Sequence, residues 1–101
     1  MSKYTIRMNF RKALDKATDL EEVSDDLKRL ADNQLHDTLN ELSASWTGEN
    51  ARMYIIKGGE LREQLEDTSR HLSKTAQTIR QIAREIYEAE MEALRIAEER
   101  G

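Results

Sequence analysis

A chain of 101 residues with no Pro, no Cys and only 4 Gly has few places to write a turn, and 5% aromatic content is too little for a sandwich or barrel core. Its formal net charge of -4 comes from acids and bases mixed along the sequence. That mixture leaves no basic face to neutralise phosphates, which argues against nucleic acid and equally against adsorption to an anionic membrane.

One all-α domain spanning 1–101 is therefore expected, built from Glu, Leu, Ala, Arg, Lys and Gln, residues that lose little rotamer freedom in a helix. Lack of Cys removes disulfides and thiolate ligands and leaves the redox compartment open. No stretch approaches the ~20 apolar residues of a membrane span, so stable insertion is not expected. The opening MSKYTIRMNF lacks the continuous apolar run of a secretory signal, so any export signal is expected to stay on the folded protein.

In chain order, Tyr4, Ile6, Met8 and Phe10 alternate with polar residues, a period of two that predicts a short extended arm. Asn9 is the expected N-cap. From about 10 to about 43 the period is helical. Leu20, Val23, Leu27 and Leu30 trace one stripe, and Leu35, Leu39 and Leu42 continue it after a phase shift. The alternative path Leu27, Ala31, Leu35, Leu39 steps by four, which reads as a stutter that unwinds a supercoil locally. Ser43-Ala44-Ser45-Trp46-Thr47-Gly48 breaks the pattern, because hydroxyl side chains compete with helical bonding and Gly tolerates unusual backbone angles. A turn at about 44–48 makes the flanking helices antiparallel neighbours.

The second helix, expected from about 50 to about 98 and roughly 75 Å long, carries the most regular pattern. Leu61, Leu65, Thr68, Leu72, Thr75, Ile79, Ile82, Ile86, Ala89, Ala93 and Ile96 follow alternating steps of four and three. Tyr54 and Gly58 extend it backwards. Gly58-Gly59 is discordant, since each Gly costs about 1 kcal/mol relative to Ala in a helix. It predicts a kink, a close approach to helix one, or a hinge.

A lone hairpin leaves much of each apolar stripe wet. Each fully buried Leu or Ile contributes ~1.5–3 kcal/mol, against ~1–2 kcal/mol of backbone entropy per ordered residue. A second hairpin would turn the stripe into the core of a four-helix bundle. Leu61, Leu65, Leu72, Ile79, Ile82 and Ile86 are the expected dimer interface. Ala17, Ala31, Ala76, Ala89 and Ala93 would permit close helix approach.

No chemistry-bearing constellation stands out, and no enzyme, cofactor or metal site is expected. His36 and His71 are too far apart in a hairpin to share a metal, and both are expected in solvent. Adjacent acids such as Glu21-Glu22 and Asp25-Asp26 point in different directions from a helix, without the cleft that acid–base catalysis needs.

Trp46 sits near the chain midpoint with Gly48 two residues on, where a large ring can seal the open end of a hairpin. Ser45-Trp46-Thr47-Gly48-Glu49-Asn50-Ala51, between two long amphipathic helices, resembles the WXG family of about a hundred residues, relatives of the early secreted antigenic target of mycobacteria. The likeness spans nearly the whole chain, and the run from Thr78 to Glu90 is similar to Gram-positive members. It implies a helical hairpin that forms an antiparallel homodimer or heterodimer. It further implies a protein exported without a cleaved signal peptide, as substrate or co-secreted partner of the type VII (ESX-like) secretion system and its ATPase. In that family Trp-turn-Gly of one subunit lies beside a C-terminal Tyr-x-x-x-Asp/Glu of its partner. Trp46, Gly48 and Tyr87 match, but the fourth residue after Tyr87 is Met91; Glu90, three residues on, shares roughly the same face. Tyr87 read alone is a rim residue beside Ile86. A targeting chaperone for a larger toxin and a cytosolic coiled-coil adaptor are the alternatives.

Overall fold

The computed structural model describes residues 1–101. Helix α1 runs Lys3–Arg29, a π-helical turn follows at Leu30–Leu35, α2 runs His36–Ser45 and α3 runs Glu49–Arg100. There is no strand, and the fold is the expected all-α helix-turn-helix hairpin. No helix is long and apolar enough to cross a membrane.

The extended arm is a correction. Ser2 caps α1: its Oγ accepts from the Thr5 amide at 3.1 Å, and its carbonyl accepts from the Ile6 amide at 3.0 Å. The helix thus starts seven residues before the predicted boundary, and Asn9 lies inside it. The apparent alternation is two interleaved i,i+4 pairs. Ile6 and Phe10 turn inward, Ile6 to 2% exposure, while Tyr4 and Met8 face solvent.

Two compact units make up the chain, Met1–Glu21 with Ser73–Gly101, and Glu22–Leu72. In the first, Phe10 stacks on Tyr87 with ring centroids 4.7 Å apart, and Arg80 reaches Thr18 at 3.3 Å and the Glu21 carboxylate. In the second, Ser24 and Ser69 exchange hydrogen bonds, the Ser24 hydroxyl donating to the Ser69 carbonyl at 2.7 Å and Ser69 to the Ser24 carbonyl at 2.8 Å. Both serines are buried, and their reciprocal bonds leave neither hydroxyl unpaired.

The seam within each unit is made of small side chains. Besides Ile6, the buried residues are Ala17, Ala76 and Ala83 in the first unit and Ser24, Ala31, Ala51 and Ser69 in the second. Small residues let two backbones approach, so the larger aliphatics flank the contact instead of filling it. On α3 this displaces the buried row by one residue from the expected stripe. Ser69, Ala76 and Ala83 are buried where Thr68, Thr75 and Ile82 are not. Of the close-approach alanines, Ala17, Ala31 and Ala76 do lie in the seam, whereas Ala89 and Ala93 are exposed.

Helix α3 passes through Gly58-Gly59 unbroken. A methyl group at Gly58 would overlap Leu39 Cδ2 and lie 3.3 Å from Leu39 Cγ, so the glycine answers to close helix approach. Nothing stands within 4 Å of the same position at Gly59.

Candidate functional site

The turn is shorter than predicted. α2 ends at Ser45, whose hydroxyl donates to the Glu41 carbonyl at 2.8 Å, and α3 starts at Glu49. Trp46 closes α2 by donating its amide to the Leu42 carbonyl at 2.8 Å, then turns extended at φ -102, ψ 137. Gly48 has φ 102, a left-handed value that disfavours any Cβ, and its carbonyl accepts from the Arg52 amide at 3.1 Å to open α3. Glu49 in the first turn of α3 complements the helix dipole.

Trp46 does not seal the hairpin end. Its indole remains 51% exposed and meets Tyr54 edge-on, with centroids 6.2 Å apart at 75°. Tyr54, Met53, Asn50 and Lys57 line a shallow depression of about 410 Å³ beside it. Helix α2 buries no residue fully. The result is an aromatic and methionine surface with Arg52 and Lys57 nearby in sequence and Glu49 as the one acid between residues 42 and 59.

Tyr87 and Glu90 come together in the other unit. With Ile6, Asn9, Phe10, Ala13, Ala83 and Ile86 they line a groove of about 230 Å³. Tyr87 is half-buried and stacks on Phe10, and Met91 is likewise half-buried. Phe10 was legible as apolar but not as the partner of Tyr87, because that pairing depends on helix register.

The expected interface residues divide. Leu65, Leu72 and Ile79 are half-buried beside the seam, while Leu61, Ile82 and Ile86 are about half exposed, at 48%, 49% and 51%. Val23, Leu30 and Ile96 are also open to solvent. His71 is exposed as expected, but His36 is partly covered and its Nε2 pairs with Asn40 Nδ2 at 3.1 Å.

The shifted carboxylates belong to ion pairs at the helix surface. A hydrogen bond from Arg80 holds Glu21 below the usual carboxylate range and raises the arginine in turn; Arg95 does the same to Glu92. Because the folded pKa of Glu21 is depressed, its contribution is present above the unfolded value of about 4.3 and is lost as pH falls through the folded value. Thermal melts of the wild type and Glu21→Gln should therefore differ at pH 7 and draw together as pH falls below the unfolded value and through the depressed folded one. A gap that stays the same size from pH 7 through the whole acid range would show that the pair contributes nothing through charge.

No protein-family model, curated protein or solved structure matches the chain.

Proposed function

We propose that this chain is a non-enzymatic member of the WXG type, exported by a type VII (ESX-like) pathway as a dimeric substrate or co-secreted partner. The observation that carries the reading is Trp46-x-Gly48 at the turn of an antiparallel hairpin, with the indole half exposed. A Trp in that position supplies a large, rigid contact surface to a protein partner at little entropic cost. The Tyr87–Glu90 groove supports it as a second docking element, with Glu90 taking the place of the acid absent at Met91. The half-exposed Leu61, Ile82 and Ile86 support pairing with a second related hairpin, its own copy or a relative.

Trp46→Ala should leave helicity unchanged, since the side chain is half exposed, yet lower protein in the culture supernatant. Loss of a hot-spot Trp costs about 2 kcal/mol or more, roughly 30-fold in affinity for the export machinery. Gly48→Ala should behave similarly because the turn resists a Cβ at φ 102. Unchanged export, or none in the wild type, would favour a cytosolic coiled-coil adaptor. A chain that pairs only when mixed with a neighbouring gene product would favour the targeting-partner version.

A further inference from the structure

From α1 through the π turn into α2 the large aliphatics step by three, four and three from Leu20 through Val23 and Leu27 to Leu30, then by five to Leu35, and by four and three through Leu39 to Leu42, with Val23 and Leu30 open to solvent. At 3.6 residues per turn, five residues overshoot one turn by about 140°. A continuous α-helix would swing the last three leucines off the line of Leu30, while Leu35 and Leu39 stay in four-residue step with the buried Ala31. The five-residue step coincides with the π-helical turn Leu30–Leu35, whose hydrogen bonds close from i to i+5. The segment therefore holds one residue more than an α-helix needs.

What keeps that extra residue in place is also visible. Ala31 within the turn is fully buried, and the Asp32 carboxylate lies 4.0 Å from Arg62 on α3. One α-helical turn beyond, Leu39 occupies the space that a side chain at Gly58 would need. Trp46 is tied to the end of the same helix through Leu42.

We propose that the π turn and the Leu39–Gly58 contact act together as a latch that sets the azimuth of α2 and thereby aims Trp46. With Leu39 seated over Gly58 the surplus residue is held as a wide turn. With the space filled, the turn is driven toward α geometry and α2 rotates by about 100°, one residue's worth. Leu39 and Gly58 are positioning residues that act through Trp46. The proposal rests on Trp46 as the docking element, but its readout is Trp46 itself and not export.

Two comparisons test it. Deleting Gln34, exposed within the π turn, should give a continuous α-helix with the melting temperature within about 3 °C of wild type and Trp46 emission unchanged. Deleting Glu22, exposed in regular α-helix, should lower it by more than about 10 °C, because Ser24 leaves Ser69. Equal damage from both deletions overturns the surplus residue. Gly58→Ala should change acrylamide quenching of Trp46 by about twofold, Gly59→Ala should not, and Leu39→Ala with Gly58→Ala should restore the wild-type value. Wild-type quenching in folded Gly58→Ala overturns the latch. If Gly58→Ala does not fold, the double variant decides: failure to restore both folding and quenching overturns it. A normal latch with unchanged export of Trp46→Ala would instead remove the export reading alone.

Discussion

Ala76→Leu is expected to lower the melting temperature by roughly 12–24 °C. Ala76 is at 0% exposure in a seam whose other members, Ala17 and Ala83 among them, are also small. Three added carbons have nowhere to go without parting the helices. Overpacking costs about 1–3 kcal/mol in cores that can relax, and a seam one layer deep has little else to move, so about 3 kcal/mol is the fair expectation. At 4–8 °C per kcal/mol for a domain of this size, that loss gives the range above. Ala89→Leu is the matched control, because Ala89 is exposed on the same helix. It should shift the melt by less than about 2 °C. Equal effects in the two variants would mean that Ala76 is not the packing determinant the seam makes it.

The second large effect concerns self-association. Ile82→Asp combined with Ile86→Asp should weaken pairing by more than about 100-fold, or about 2.7 kcal/mol, measured by sedimentation or light scattering. Each isoleucine is about half exposed in the hairpin, so covering the remainder on pairing adds about 1 kcal/mol apiece. Aspartates there would forfeit that gain and add two carboxylates to be desolvated without partners. Helicity of the dilute variant should stay near that of dilute wild type, because neither residue is a buried member of the seam. A wild-type chain that sediments as a stable monomer at high concentration would remove self-pairing and leave only pairing with a related hairpin.

Most of the architecture was legible in the residues. Pro-free, Leu- and Glu-rich runs demand long helices, and a hydroxyl-rich break ending in Gly48 demands a turn, because both are local matters of propensity and backbone freedom. The extended arm failed for a local reason of another kind. Tyr4, Ile6, Met8 and Phe10 satisfy a strand's alternation and a helix's i,i+4 pairing at once, and Ser2 as a cap decides between them.

The stripe of large aliphatics on α3 did not mark the face that packs within the chain. Ile82 and Ile86 are the more hydrophobic residues, yet Ala83 is buried and Tyr87 stacks on Phe10. Likewise, Trp46 and Gly48 stood out as a turn motif, whereas Tyr54 as the neighbour of the indole did not.

By itself the sequence determined that the chain is helical, where it doubles back and which residues are apolar enough to need cover, since each depends on short-range periodicity and conformational preference. Only the tertiary structure decided the seam of alanines and serines, the wide turn that absorbs one residue, and the meeting of Leu39 with Gly58. Those depend on how closely and in what register two helices approach, a quantity that the spacing within either helix alone does not contain.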